Sequence, residues 1–289
     1  MLNFISKIPI EKGWSGDKKY CVTTESGQKY LLRISSPERA QNREQLFAMH
    51  KTVQELDLPI STSLEYGLCE EGAYLLQTWV DGRDAEDVIP SLPRETQYAY
   101  GLEAGRILKT LHSIPAPEGL PKWEDYFNAK IDRKIRTYEA CPLKYDGAEH
   151  FLRYLAENRH LLVGRPQSFQ HGDYHIGNMM VDSTGQLQII DFDKYDFGDP
   201  WEEFNRIVWC AQAAPVFASG LVDGYFDGPV PEAFWGLLCL YISSNTLSSV
   251  PWAIPFGQEE IEVMLNQVKD VIGWYENMSR IIPNWYQKP

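Results

Sequence analysis

Short apolar, β-prone runs separated by polar, glycine-containing turns follow one another along residues 5–35, and this pattern predicts β-strands rather than a helix. A glycine-containing turn over residues 12–17 separates the first predicted strand from the second. Another turn, Glu25-Ser26-Gly27-Gln28, separates the second from the third. The chain is therefore predicted to begin with three antiparallel strands joined by tight turns.

Further along the chain the apolar positions follow a helical period. Residues 36–56 are predicted to form a helix after the three strands, and Ala73–Val80 is predicted to be one more strand. Helical patterns also cover three later segments: 95–113, 131–160 and 257–279. These elements indicate an α+β fold, with an antiparallel N-terminal sheet followed by a largely helical region.

Composition and charge narrow the classes of function. The chain has 289 residues, of which 44% are hydrophobic, enough for one large domain or two lobes. No apolar run approaches the ~20 residues that span a bilayer, and no signal peptide is evident. The five scattered cysteines favour reduced thiols in the cytoplasm. A formal net charge of −13 disfavours nucleic acid as a partner. The negative field would attract a cationic small molecule, and solubility is the alternative explanation of the acidity.

The densest group of polar candidates lies between residues 171 and 193. Two apolar arms around the turn Asp182-Ser183-Thr184-Gly185 predict a hairpin, so Asn178 and Asp191 are expected to lie side by side. An amide oxygen and a carboxylate suit Mg²⁺, a hard ion that shares its coordination with substrate phosphates. Asp173, five residues before Asn178, is placed to receive a proton from a substrate hydroxyl. This order of groups is typical of protein-kinase-like phosphotransferases.

At these residues the chain resembles the aminoglycoside phosphotransferase and choline kinase superfamily of small-molecule kinases. The resemblance is carried by three strings: His171-Gly172-Asp173-Tyr174-His175-Ile176-Gly177-Asn178, Ile189-Ile190-Asp191-Phe192 and Gly198-Asp199-Pro200. It implies a two-lobed protein-kinase-like fold, with residues 1–79 as the nucleotide lobe and 80–289 as the catalytic and substrate lobe. It also implies that residues 171–178 form the catalytic loop, with Asp173 as catalytic base, and that Asn178 and Asp191 are Mg²⁺ ligands.

The same resemblance assigns nucleotide-binding roles in the N-terminal region. Gly13, Ser15 and Gly16 lie in the loop that such kinases lay over the phosphates. Thr78 and Val80 lie where backbone groups of the hinge meet a purine edge. ATP or GTP is the expected phosphoryl donor.

Arg33 occupies the strand position at which kinases usually carry a lysine for the α- and β-phosphates. Glu44, near the start of the predicted helix, is the expected partner of Arg33, and Lys29 is a candidate substitute for the missing lysine. An arginine in place of the lysine matters because a guanidinium is a planar group with forked donors, whereas an ammonium is a compact point charge.

Six carboxylates between Asp191 and Glu203 raise two further expectations. Asp193 is predicted to approach a second Mg²⁺, since it lies two residues beyond Asp191. Asp199 is expected to accept backbone N–H groups of the catalytic loop or of the following helix, and Glu202 or Glu203 to face a substrate amine. Tyr241, Asn245 and Trp201 are candidate pocket walls.

The leading hypothesis is a Mg²⁺-dependent kinase that phosphorylates a hydroxyl of a small, cationic, aminoglycoside-like molecule. Choline, ethanolamine, a macrolide or a sugar remain alternative acceptors within the same superfamily. A nucleotide-binding pseudokinase is the non-enzymatic alternative, favoured only by the arginine at position 33.

Overall fold

A computed structural model describes residues 3–11 and 16–289 of the chain. The chain forms two compact units. The first unit comprises Met1–Ala85 with Asn178–Asp193, and the second comprises Glu86–Gly177 with Lys194–Pro289. The segment that follows the catalytic loop thus belongs to the first unit, although it lies far along the chain from the other residues of that unit.

The first unit contains a five-stranded antiparallel sheet with the strand order β1-β2-β3-β5-β4. Its strands are β1 Phe4–Ile10, β2 Lys18–Thr24, β3 Lys29–Ser35, β4 Ser63–Cys69 and β5 Gly72–Thr78. Alternate side chains of the inner strands pack into one apolar cluster that includes Val22, Leu32 and Leu76. The three strands predicted over residues 5–35 are confirmed, as is the strand predicted near Ala73.

The predicted helix after β3 is confirmed with later bounds. A 3₁₀ turn covers Pro37–Arg39, and α1 covers Ala40–Gln54 and packs against β4 and β5. The edge strand β4 was not predicted. Its side chains are mostly half-exposed, so its hydrophobic pattern is weak.

A second, three-stranded sheet completes the first unit, in the order β6-β8-β9. Its strands are β6 Gly82–Asp84, β8 Met179–Asp182 and β9 Leu187–Ile189. The β8–β9 pair is the predicted hairpin, with Met179 opposite Ile189.

The second unit is mostly helical. Its helices are α2 Ala85–Val88, α3 Arg94–Leu111, α4 Trp123–Ala140, α5 Ala148–Asn158, α6 Ile207–Ala213, α7 Pro215–Phe226, α8 Glu232–Leu247, α9 Ser249–Ala253 and α10 Gln258–Trp274. The helical pattern over 131–160 corresponds to two helices, because Pro142 and Gly147 (φ +89°) interrupt it. Strands β7 Ser168–Gln170 and β10 Asp196–Gly198 pair antiparallel on either side of the catalytic loop.

Helices α3 and α7 approach each other closely through glycines. A Cβ on Gly101 would lie 2.2 Å from the carbonyl oxygen of Phe217, and one on Gly105 would lie 2.3 Å from that of Leu221. Larger residues at these positions would therefore force the helices apart. Within the described part of the chain, no helix combines the length and the apolar character that crossing a membrane requires. All five cysteines are free thiols.

Candidate active site

The β8–β9 hairpin brings Asn178 next to Asp191, as the sequence predicts. Asp182 organises the turn by accepting backbone N–H bonds from Thr184 (2.8 Å) and Gln186 (3.0 Å). At the open end, the backbone N–H of Ile190 donates to the carbonyl oxygen of Asn178 over 3.0 Å. The residues that carry the amide and the carboxylate therefore flank the last hydrogen bond of the hairpin.

Asp191 has an unusual backbone conformation. Its φ of +65° lies in the left-handed region, which costs a non-glycine residue about 1 kcal/mol or more. Its side chain is about one-third exposed, and Oδ1 accepts a hydrogen bond from Arg33 Nη1 over 3.1 Å. Backbone strain of this kind is found where a side chain must be aimed in a fixed direction.

A buried group of charges surrounds Arg33, and we call it the Arg33 cluster: Asp17, Arg33, Arg43, Asp191 and Asp193. Arg33 Nη2 binds both Asp17 Oδ2, over 3.1 Å, and Asp193. Arg43 donates to Asp193 Oδ1 over 2.7 Å, to Asp17 Oδ2 over 2.8 Å and to Ser35 Oγ over 2.7 Å. Arg33, Arg43 and Asp17 have side chains that are at most 3% exposed. Two arginines are thus neutralised by three carboxylates.

The expected pairing of Arg33 with Glu44 is wrong, because the carboxylates that bind Arg33 are Asp17, Asp191 and Asp193, and the residue of α1 that joins the cluster is Arg43. Glu44 is exposed, and among the described residues it is not one of the carboxylates that contact Arg33. Helical geometry explains the difference, because Arg43 shares the buried face of α1 with Leu46 and His50 whereas Glu44 points outward.

The lysine near this cluster is Lys19 rather than Lys29. Lys29 lies 3.6 Å from Asp81 and is half-exposed. Lys19 pairs with Arg33 across β2 and β3, and its pKa is lowered by burial and then by the positive charge of Arg33. The hairpin register around the Gly27 turn was the sequence signal that could have found Lys19, since it aligns position 19 with position 33.

Asp193 directs its carboxylate into the Arg33 cluster. Both of its oxygens accept hydrogen bonds from Arg43, over 2.7 and 3.2 Å, and one of them also contacts Arg33. The expectation that it approaches a second Mg²⁺ therefore conflicts with the bonds its oxygens already make. In an extended chain the side chains of Asp191 and Asp193 would point to the same side. A 3₁₀ turn over Phe192–Lys194 changes the direction of the Asp193 side chain.

The predicted hinge residues differ in what their backbones do. Thr78 N–H donates to the carbonyl of Thr62 over 2.9 Å, and its own carbonyl accepts from Ser61 Oγ over 3.0 Å. Its backbone polar groups are therefore engaged, contrary to the expectation of a purine contact there. Val80 makes no backbone hydrogen bond to another described residue. Of the loop residues, Gly16 is exposed, and Gly13 and Ser15 lie outside the described residues.

Two cations and a histidine of the second unit surround Asp173. Lys194 Nζ lies 2.8 Å from Oδ2 of Asp173. Arg206 Nε lies 3.3 Å and His175 Nε2 lies 3.7 Å from Oδ1 of the same carboxylate. Burial raises the pKa of Asp173, but Arg206, His175 and Lys194 outweigh that and lower it to about 2. Burial lowers the pKa of His175 to about 4, so this imidazole is neutral near pH 7. Arg206 was not predicted, because nothing local in the sequence links it to residue 173.

Glu203, a buried residue that is 1% exposed, anchors the catalytic loop. Its carboxylate accepts the backbone N–H groups of Gly172, over 3.0 and 3.1 Å, and of Tyr174, over 3.3 Å. Gly172 has a φ of +83°, and a Cβ there would lie 1.9 Å from the carbonyl oxygen of Lys194. Glycine at this position lets the two segments approach, which brings Lys194 to Asp173.

Asp199 has a structural role at the start of the next turn, one of the two roles expected of it. It binds Arg165 over 2.6 and 2.8 Å and accepts the backbone N–H of Trp201 over 3.0 Å. Tyr241 donates to the same carboxylate over 2.6 Å and is 1% exposed, so it is a core residue and not a pocket wall.

The protein atoms offer Mg²⁺ only part of a coordination shell. Asn178 and Asp191 supply hard oxygen donors at the end of the hairpin. Across residues 3–11 and 16–289, no group of three or more His, Cys, Asp and Glu side chains is arranged to hold a metal ion. A pair of oxygen donors fits an ion that takes its remaining ligands from phosphates and water.

An antiparallel sheet with one helix, a helical second unit and this catalytic loop define a kinase-like phosphotransferase. The sequence profile of the phosphotransferase enzyme family matches residues 7–235, and the chain belongs to that family. The predicted α+β class is confirmed, as is the assignment to the small-molecule kinases. None of the curated proteins compared with the chain matches it significantly.

Solved structures of aminoglycoside phosphotransferases share the fold at low sequence identity. A GDP complex of a variant of aminoglycoside 2′-phosphotransferase-IIIa has a TM-score of 0.72 and 14% identity, covering 96% of this chain and 94% of that one. A ternary complex of a thermostable variant of APH(4)-Ia with ADP and hygromycin B has a TM-score of 0.65 and 17% identity, covering 93% and 94%. The gentamicin complex of APH(2″)-IIa has a TM-score of 0.65 and 15% identity, covering 92% and 91%.

Proposed function

We propose that this protein transfers the γ-phosphoryl group of ATP or GTP to a hydroxyl group of a small molecule. The observation that carries the proposal is the hairpin that sets Asn178 beside Asp191, in a chain whose ionised Asp173 lies five residues earlier. Family membership supports the reaction class. The nucleotides in the neighbouring structures, GDP and ADP, support a nucleotide donor.

Asp173 would orient the acceptor hydroxyl. A carboxylate with a pKa of about 2 is charged at every working pH but is a poor proton acceptor. Its main contribution is therefore to accept a hydrogen bond and aim the hydroxyl oxygen, with proton transfer late in the reaction. Lys194 and Arg206 keep it charged and fix its position.

Asn178 and Asp191 would hold Mg²⁺, which when bound would neutralise charge on the nucleotide phosphates. The left-handed backbone of Asp191 and its bond from Arg33 aim this carboxylate. We assign Asp193 a positioning role, since it ties the segment after Asp191 to Arg43 on α1.

We assign the remaining nucleotide contacts to residues of the first unit. We propose that the region 1–79 binds the nucleotide, with Gly13, Ser15 and Gly16 near its phosphates. Lys19 is the candidate for the phosphate-binding lysine, since it lies opposite Arg33 and is partly buried. Val80 is the candidate for a purine contact, because its backbone groups make no bonds to other described residues.

The observations on the charge of the acceptor molecule point in two directions. A cationic acceptor is supported by the net charge of −13 and by hygromycin B and gentamicin in the neighbouring structures. Against it, the carboxylates expected to bind an amine have partners: Glu202 binds Lys130 over 3.0 Å, and Glu203 binds the catalytic loop. Choline, macrolides and sugars therefore remain candidates beside the aminoglycosides.

A nucleotide-consumption assay tests the proposed reaction. Purified protein would be incubated with ATP or GTP, with and without Mg²⁺, in the presence of aminoglycosides, choline, macrolides and sugars. We expect acceptor-dependent and Mg²⁺-dependent consumption that Asp191→Asn abolishes together with Mg²⁺-dependent nucleotide binding. Tight nucleotide binding without turnover under any acceptor would instead indicate a pseudokinase.

A further inference from the structure

The second unit contains a group of basic side chains that we call the Lys134 cluster: Lys130, Lys134 and Arg206, of which Arg206 contacts Asp173. Two of these residues project from successive turns of α4, four positions apart. Arg206 ends the 3₁₀ turn Glu202–Arg206 and reaches Asp173, with 3.3 Å between Nε and Oδ1. The cluster therefore adjoins the group that would receive the acceptor hydroxyl.

The charges of this cluster are only partly compensated. Lys130 has a carboxylate partner, Glu202, at 3.0 Å. Lys134 has no carboxylate partner among the described residues, and its one hydrogen bond is a long one of 3.4 Å to the amide oxygen of Asn245. The Nε atom of Arg206 is buried and makes no hydrogen bond of good geometry within the described part of the chain. Lys130 is paired with Glu202, and Lys194 and Arg206 are paired with Asp173, so among the described residues Lys134 is left without a carboxylate within ion-pair distance.

Lys134 responds to this surplus of positive charge. Burial lowers its pKa most, and the positive charges of Lys130, Arg206 and Arg133 lower it further against the opposing effect of Glu202. The resulting pKa of about 7 is far below the ordinary value of a lysine. A partly buried amine without an anionic partner costs stability, so its presence needs a reason other than folding.

We propose that the acceptor carries an anionic group, a carboxylate or a phosphate, which binds Lys134 and Arg206 while its hydroxyl meets Asp173. The inference rests on the proposed phosphotransfer, since it names the acceptor class of that same site. An anion would supply the missing partner of Lys134 and a hydrogen-bond acceptor for Arg206. An aminoglycoside would instead add positive charge to a region that already has an excess of it.

Matched pairs of acceptors isolate the anionic group. D-glycerate is compared with glycerol, and glucose 6-phosphate with glucose, so that each pair differs chiefly in one carboxylate or phosphate. Gentamicin and hygromycin B form the cationic arm. Two readouts are taken: Mg²⁺–nucleotide consumption, and stabilisation of the nucleotide-free protein against heat. The pair with the larger difference distinguishes a carboxylate from a phosphate.

Three variants test whether Lys134 carries the preference. Lys134→Met removes the charge at nearly equal length, and Lys134→Arg keeps it. Arg136→Met is the matched control, because it removes one exposed positive charge from the same helix. We expect an anionic acceptor to exceed its neutral counterpart by about 10- to 100-fold in kcat/KM or in affinity. Lys134→Met should erase that ratio, whereas Lys134→Arg and Arg136→Met should retain it.

The outcomes separate this inference from the proposed function. Equal behaviour of anionic and neutral acceptors in both readouts overturns the inference, as does phosphorylation of gentamicin or hygromycin B alone with Lys134→Met unimpaired. Neither result removes the kinase assignment, since turnover is still observed with some acceptor or with the nucleotide alone. Lys134-dependent anion binding without any phosphoryl transfer supports the anion site and contradicts the proposed reaction.

Discussion

The Arg33 cluster and the Lys134 cluster place positive charges in buried surroundings, but they compensate them differently. In the Arg33 cluster every guanidinium bonds to carboxylates of the same unit. In the Lys134 cluster the amine of Lys134 has, among the residues that the structure describes, one partner: the amide oxygen of Asn245 at 3.4 Å. A buried charge with partners serves the fold or the alignment of neighbouring groups, whereas one without a partner indicates a ligand that supplies it.

The two clusters also differ in what their removal should change. Loss of Arg33 or Arg43 leaves the buried carboxylates of the Arg33 cluster with fewer positive partners, so stability should suffer. Loss of Lys134 removes a charge that the fold already tolerates poorly, so stability should improve while acceptor recognition fails. Mutations can therefore test the comparison directly.

Arg43→Met should give the largest loss of stability. It removes the bonds to Asp17, Asp193 and Ser35 and leaves Arg33 as the buried arginine that compensates both carboxylates. Removing one partner from a buried ion-pair network costs about 3 kcal/mol or more. Chemical unfolding followed by circular dichroism measures the loss. Arg39→Met is the control, because the side chain of Arg39 is 37% exposed and Asp17 is its one carboxylate partner within residues 3–11 and 16–289. We expect it to cost at most about 1 kcal/mol. Similar small losses in both variants would contradict a structural role for the Arg33 cluster.

Asp173→Asn should lower turnover by about 10²- to 10⁴-fold while nucleotide affinity stays nearly unchanged, because Asp173 acts on the hydroxyl and not on the phosphates. Steady-state kinetics and a nucleotide titration give the two quantities. Asp196→Asn, an exposed carboxylate in the following strand, is the matched control. Equal effects of the two substitutions would argue that Asp173 is only a loop residue.

His175→Gln should reduce the acid sensitivity of the fold. Burial lowers the pKa of His175 from 6.5 to about 4, so between these pH values the unfolded chain binds a proton that the folded chain does not. Stability is therefore complete above about pH 6.5 and falls as the pH drops towards 4, by at most ~3 kcal/mol. Gln keeps an acceptor for the backbone N–H of Gly177, which His175 Nδ1 now binds over 3.1 Å.

Thermal unfolding from pH 4 to pH 7 measures this effect. We expect a flatter profile for His175→Gln than for the unsubstituted protein. His160→Gln, an exposed histidine of the same unit, should leave the profile unchanged. An unaltered slope in the His175 variant would mean that other groups account for the acid sensitivity.

Local patterns in the sequence were sufficient for much of the fold. The hairpin that joins Asn178 to Asp191 and the three N-terminal strands were predicted because alternation and turn residues are short-range signals. Pro142 and Gly147 are the sequence signals for the break between the two helices within residues 131–160. Element bounds and the edge strand β4 depend on tertiary contacts.

The charged partners could not be predicted in the same way. The sequence pointed to Arg33, but its partners lie 16, 158 and 160 residues away along the chain. Contacts between residues so far apart produce no periodic pattern in the sequence. Arg43 was the one available signal, since it lies three positions before Leu46 on the buried face of α1. Lys134 is similar: it lies three positions after the buried Ile131. A charge on an apolar helix face therefore indicates either a paired network or a ligand site, and only the structure distinguishes them.

Lys134→Met should raise stability slightly, which is the opposite of the loss expected for Arg43→Met. Because the folded pKa of about 7 is below the ordinary 10.5, the folded protein bears the full cost of the charged amine below pH 7. That cost shrinks as the pH rises from 7 to 10.5, so the gain from methionine should be about 1 kcal/mol at pH 6 and smaller at pH 9. Thermal unfolding at both pH values measures the difference, with Arg136→Met as the control. A stable variant that has lost its acceptor preference would identify Lys134 as a residue kept for binding, whereas a destabilised variant at pH 6 would place it with the paired charges of the Arg33 cluster.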